Sequence, residues 1–138
     1  MTSEVFLDTS FVIASISPRD QFHSRAQMLD AELRSRKTKV TTTTGVLLEI
    51  GNSLAKPHVR PYAGQAIESL LRDPSVEVVQ LNNELFARAL ELYQRRSDKE
   101  WGLVDCVSFV VMSDRGLTEA LTSDEHFEQA GFIALLRQ

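Results

Sequence analysis

The sequence predicts an α/β fold with a central, mostly parallel sheet and helices on both faces. Three observations carry that expectation. Short β-type runs recur along the chain, segments with helical spacing of apolar residues separate them, and the separations are long enough for the crossovers that parallel strands require. At 138 residues the chain is expected to form one domain over positions 1–138, and a domain of that size buries roughly 68–70% of its unfolded surface.

Val5-Phe-Leu7 is the first β-type run, and Phe11-Val-Ile-Ala14 after it starts a helix. Asp20 is placed to cap the next helix, whose inward positions Phe22, Ala26, Leu29 and Leu33 repeat at helical spacing up to a basic end at Arg34, Arg36 and Lys37. Val40 to Thr44 is β-branched throughout and reads as a strand. Val46, Leu47, Ile50 and Leu54 share one stripe of a helix that Pro57 stops. Ala63, Ile67, Leu70 and Leu71 mark another helix, ending near Asp73-Pro74, before a strand over Val76 to Leu81. Asn82 or Asn83 caps the helix of Leu85, Phe86, Ala89, Leu90 and Tyr93. A polar loop from Arg95 to Glu100 leads to an apolar helix over Gly102 to Ser113, which Gly116 ends. A short strand at Glu119-Ala-Leu121, a helix from Asp124 and a last strand at Phe132 to Leu135 complete the pattern.

Hydrophobic residues at 43% and charged residues at 25% exclude a disordered or fibrous chain. A net charge of −4 argues against gripping nucleic acid over the whole surface, yet allows a local basic rim around an acidic centre. Cys106 is the only cysteine, so an intrachain disulfide is impossible and a thiolate metal site lacks ligands. Glu4 and Asp8 stand where a basic leader would be, and no apolar run approaches the ~20 residues of a membrane span, so a cytoplasmic protein is expected.

Within Gly102 to Ser113, Asp105 is the only charged residue. A carboxylate in so apolar a helix must be protonated, paired or metal-bound. Three other acids end or interrupt apolar segments: Asp8 after Val5-Phe-Leu7, Glu49 inside Val46 to Ile50, and Asp124 in Thr122-Ser-Asp-Glu125. Each has an ordinary reading. Asp8 could cap a helix, Asp105 and Asp124 could complement helix dipoles, and Thr122 with Glu125 fits a capping box. Glu49 and Asp105 resist it better, because Glu49 lies beyond the terminal turn of its helix and Asp105 has apolar neighbours on nearly every side. Groups after parallel strands share one crevice, where Asp8 and Asp124 would sit. If all four converge, the natural neutraliser is a divalent cation, and hard oxygen donors select Mg²⁺ or Mn²⁺ over Zn²⁺. Such an ion suits phosphodiester hydrolysis.

Phe6-Leu-Asp-Thr-Ser10, Glu49 with Asn52 three residues on, Asp98 and Asp105 before an apolar helix, and Thr122-Ser-Asp-Glu-His-Phe127 together resemble the PIN-domain ribonucleases. The order and spacing match along almost the whole chain, and the length matches the small bacterial and archaeal members, many of them VapC-type toxins. The resemblance implies a PIN-like three-layer α/β/α sandwich and Mg²⁺- or Mn²⁺-dependent cleavage of RNA. It implies Asp8, Glu49, Asp105 and Asp124 as the acidic quartet, with Asp8 and Asp105 as direct metal ligands and Glu49 as a ligand or the orienter of the attacking water. Thr9 or Ser10, Asn52 and Asp98 could support those acids. A homodimer and an antitoxin partner are implied by the same likeness. Gly102 and Val104 depart from the pattern, since many relatives carry hydroxyl residues there.

Arg19, His23, Lys56, His58, Arg60, Arg95, Arg96 and Lys99 are candidates for an RNA-facing rim, and any one of them also reads as a solvated surface charge. Trp101 could stack on a base or anchor its loop beside Leu103. A phospho-acceptor receiver is disfavoured because no Lys follows Lys99, and a haloacid-dehalogenase phosphatase because Ser10 replaces the acid expected two residues after Asp8. A PIN-fold RNA-binding or regulatory module with little or no catalytic turnover is the remaining alternative. The Gly102 and Val104 departures favour it, and retention of four acids opposes it.

Overall fold

The computed structural model describes residues 1–138. Five parallel strands, β1 (Glu4–Leu7), β2 (Lys39–Thr43), β3 (Val76–Val79), β4 (Glu119–Leu121) and β5 (Ile133–Ala134), form one sheet in the order β3-β2-β1-β4-β5. Seven helices flank it: α1 (Thr9–Ile16), α2 (His23–Arg36), α3 (Thr44–Ser53), α4 (Arg60–Arg72), α5 (Asn83–Arg95), α6 (Leu103–Arg115) and α7 (Glu125–Gln129). The expected α/β sandwich is therefore present, and its sheet is parallel throughout.

Alternation along the strands assigns the faces. Phe6 turns toward Phe127 of α7, with ring centroids 6.3 Å apart. Its neighbour Leu7 joins Val40, Val76 and Leu121 under α1, α2 and α4, where they line a cavity of about 560 Å³. On the other face Phe109 of α6 meets Trp101 at 5.0 Å and Phe127 at 4.9 Å, both edge-on, and Phe132 at 5.7 Å. Such pairs contribute beyond their buried area. Phe109→Ala is expected to destabilise the fold by about 3–5 kcal/mol; chemical denaturation showing less than ~1 kcal/mol would remove this cluster as the support of α6 and α7.

Several boundaries move by a few residues, each for a local reason. Asp20 does not cap α2; its Oδ1 accepts the Phe22 amide at 2.8 Å in a turn, and the helix starts at His23. Thr44, expected at the end of a strand, opens α3 because Thr43 Oγ1 accepts the Val46 amide as the cap. The third strand stops at Val79, and the Leu81 amide instead donates to Thr44 Oγ1 at 2.8 Å. Of the two candidate caps of α5, Asn82 takes the role. The last strand is two residues long and runs into a 3₁₀ turn at Leu135–Arg137. Gly116 ends α6 with φ +66°, a left-handed conformation that favours glycine.

Candidate active site

The sheet order places the strand-order reversal at β1, between the crossover toward β2 on one side and β4 on the other. In open α/β sheets the crevice beyond the carboxyl ends of the strands at such a point is where ligands bind. Asp8 follows β1 there, and Thr122-Ser-Asp124 follows β4. The Asp8 amide still donates to Leu121 O at 3.2 Å, so the two strand ends stay paired as the chains diverge.

Asp8 occupies the N-cap position of α1, but its side chain caps nothing. Its Oδ2 accepts the hydroxyls of Thr122 at 2.7 Å and Ser10 at 3.0 Å. Thr122 Oγ1 also accepts the Asp124 amide, and Ser10 Oγ the Ser123 amide, each at 3.0 Å. Hydroxyls thus fasten the ends of β1 and β4 around one carboxylate. On α3, Glu49 Oε1 accepts Thr9 Oγ1 at 2.6 Å. Asp105, in the first turn of α6, accepts the Gly102 amide at 3.2 Å and His126 Nδ1 at 3.0 Å, both on Oδ2. Asp124 caps α7 through Oδ1, which takes the His126 amide at 2.9 Å, so the expected Thr122–Glu125 capping box is not the cap used.

Each of the four acids therefore uses one oxygen on the protein. Asp8 Oδ1, Glu49 Oε2, Asp105 Oδ1 and Asp124 Oδ2 have no protein partner. No fully buried side-chain oxygen or nitrogen lacks a hydrogen bond, so Asp8 Oδ1 keeps some access to solvent although Asp8 is 4% exposed. No Lys or Arg pairs with any of the four.

The electrostatics follow from that crowding. Burial, followed by the charges of Asp105 and Glu49, pushes Asp8 up to about 6 against the opposing hydroxyl bonds of Thr122 and Ser10. Burial and then the Asp124 charge raise Asp105, opposed by His126 and the Gly102 amide. For His126 burial acts downward, but the Asp105 bond and the charges of Asp124, Asp105 and Glu125 outweigh it and raise the ring. Burial and the Asp105 charge push Cys106 up to about 11, so it remains a protonated core thiol. Charge coupling links Glu49 to Asp8, Asp8 to Asp105 and Asp105 to Asp124. The tightest group is Asp105, Asp124 and His126, with one ligating atom from each lying within 4.8 Å of the others. Outward carboxylate oxygens with no Lys or Arg among them fit a hard divalent cation.

Of the other residues singled out above, Thr9 and Ser10 hold Glu49 and Asp8, as just described. Asn52 is exposed with no side-chain hydrogen bond, and Asp98 pairs with Arg96 at 3.0 Å outside the cluster. Gly102 has open space around it, so a side chain would meet nothing within 4 Å. Among the expected rim cations, His23 Nδ1 lies 2.7 Å from Ala14 O and Arg60 donates to Ala55 O, while Arg95 lies 3.8 Å from Glu91. Arg19, Lys56, His58 and Lys99 make no ion pair or side-chain hydrogen bond. Trp101 is 6% exposed, donates to Gln129 Oε1 at 3.0 Å and carries the Arg96 guanidinium 5.0 Å from its ring. It anchors the loop and offers no open face to a base. Sequence reasoning gave Thr122 only a capping-box reading and His126 no role of its own. Their signal was their place in the run after β4, immediately around Asp124.

Residues 5–133 match the PIN domain family. The chain belongs to that family. This PIN domain is 31% identical over 129 residues to the 23S rRNA-specific endonuclease VapC20 of Mycobacterium tuberculosis, covering 94% of this chain and 95% of that protein. The crystal structure of Mycobacterium tuberculosis VapC20, described as a sarcin-ricin loop cleaving toxin, superposes with a TM-score of 0.82 at 30% identity over 94% of this chain and 96% of that one. VapBC2 from Rickettsia felis, bound to a promoter DNA fragment, shares the fold at TM-score 0.65 and 13% identity over 95% and 96%. FitAcB from Neisseria gonorrhoeae does so at 0.64 and 16% over 94% of each chain. No helix of the PIN domain is long and apolar enough to cross a membrane.

Proposed function

We propose that this PIN domain is a Mg²⁺- or Mn²⁺-dependent endoribonuclease, the toxin of a toxin–antitoxin pair, working in the cytoplasm as one catalytic unit over residues 1–138. The observation that carries the reading is the set of four acids, each turning one oxygen away from its protein partners and none paired with Lys or Arg. The 31% identity to a named RNA endonuclease over nearly the whole of both chains supports it.

Asp8, Asp105, Asp124 and Glu49 would hold the cation, Asp8 and Asp105 most directly. When bound, the ion supplies a lowered pKa for water and an offset for the charge that builds on the phosphate. The protein's own part is positional. Thr122 and Ser10 fix the Asp8 carboxylate, and Thr9 fixes Glu49 so that Oε2 can orient the attacking water or accept its proton. Water adds to phosphorus, the P–O bond to the leaving ribose oxygen breaks, and that oxygen takes a proton.

The relation to VapC20 makes 23S rRNA the substrate class to test first. Intact ribosomes and free total RNA are incubated with the protein in EDTA, Mg²⁺ or Mn²⁺, and the new ends are mapped. Cleavage with either ion and none in EDTA is the expected result. RNA retention without cleavage would turn the reading to the non-catalytic RNA-binding module. The same relation to a toxin supports an antitoxin partner and a homodimer. Light scattering should give twice the chain mass, and a monomer across micromolar concentrations removes the dimer.

A further inference from the structure

We propose that His126 is a positioning residue of the acidic site, holding the Asp105 and Asp124 carboxylates in the orientation that receives the cation. The proposal rests on the metal-dependent reading above. His126 Nδ1 hydrogen-bonds Asp105 Oδ2 at 3.0 Å and lies 3.3 Å from Asp124 Oδ1. The His126 amide holds the same Asp124 oxygen at 2.9 Å. A ring nitrogen facing two carboxylate oxygens must carry a proton, so Nδ1 is the donor whether the ring is charged or neutral.

One imidazole thereby ties α6 to the start of α7. It also engages one oxygen of each acid, leaving Asp105 Oδ1 and Asp124 Oδ2 without partners. The Asp105 side chain is 13% exposed and that of His126 25%, so the contact is shielded from competing water. Phe127, the next residue, is fully buried against Phe6 and Phe109, which anchors α7 to the core. Metal-binding histidines are usually oriented by carboxylates. Here the roles are exchanged, with the histidine orienting carboxylates.

The test measures Mn²⁺ binding to the full chain by the loss of the free-ion electron paramagnetic resonance signal, in the parent and in His126→Asn, His126→Gln and His126→Phe. The Asn amide nitrogen falls where Nδ1 lies, whereas the Gln nitrogen falls where Nε2 lies. Gln and Phe are expected to weaken Mn²⁺ binding by about 10- to 100-fold, the usual effect of losing a partner that orients a metal ligand, and Asn is expected to retain most of it. RNA cleavage by His126→Phe should recover as Mn²⁺ is raised, which a misfolded protein would not do. Parental Mn²⁺ affinity in folded His126→Phe overturns the proposal. So does an equal loss in His126→Asn, which would mark the ring as a direct ligand. A parent that binds no Mn²⁺ overturns both this proposal and the nuclease reading, whereas a parent that binds and cleaves while His126→Phe matches it overturns this one alone.

Discussion

Asn in place of Asp8, or separately of Asp105, is expected to lower RNA cleavage by on the order of a thousandfold while the fold survives. The charge is what disappears. An Asn carbonyl at position 8 can still accept the Thr122 and Ser10 hydroxyls, and one at position 105 can still accept the Gly102 amide and His126. A metal-supplied stabilisation of several kcal/mol in the transition state corresponds to roughly three decades of rate. Single-turnover cleavage of end-labelled RNA at saturating Mn²⁺ reads the loss, and circular dichroism reads the fold. Undiminished turnover by well-folded Asp105→Asn protein would remove that residue from the metal site.

Without metal, the protein is expected to lose stability as pH rises from about 4 to above 6. Asp8 has an ordinary value of 3.8 and is raised to about 6 in the fold, so between those values the folded state holds a proton that the unfolded chain has released. The contribution is complete below the lower value and is lost as pH climbs through the higher one. A shift of this size on a buried group amounts to about 3 kcal/mol, or a melting temperature lower by roughly 10 °C. Asp105, raised in the same direction, adds to the trend. A divalent cation that binds only the folded cluster is expected to reverse the loss, by ~2.7 kcal/mol at a hundredfold excess over Kd. Metal-free Asp8→Asn protein should therefore melt above the metal-free parent at neutral pH and gain little from Mn²⁺. Melting curves from pH 4 to 8 in EDTA and in Mn²⁺ decide the matter; a flat metal-free profile would show that Asp8 carries no strain.

The strands and helices were legible because their signals are periodic. Val40-Thr-Thr-Thr43 could hardly read as anything but a strand, and Val46, Ile50 and Leu54 could hardly read as anything but a helix face. Thr44 and Asp20 misled because Thr and Asp make their own local hydrogen bonds, and which amide each satisfies depends on neighbours that no window contains. The placement of the acids is similar. Asp105 announced itself by standing alone in an apolar helix, and Asp8 by ending an apolar run. Thr122 read as half of a capping box and His126 as nothing in particular, because a hydroxyl and an imidazole near a helix start are ordinary. Their meaning arises only from Asp8, 114 positions away from Thr122, and from Asp105, 21 positions away from His126.

That separation of 114 positions has a biosynthetic consequence. The central strand β1 and its neighbour β4 are far apart in the sequence, and the carboxylate after the first is clasped by a hydroxyl after the second. A growing polypeptide can hydrogen-bond β1 to β2 early, but the cleft has no floor until Thr122 and Asp124 have been synthesised and β4 has docked. Catalytic competence therefore waits for Thr122 and Asp124, however early the first two strands pair.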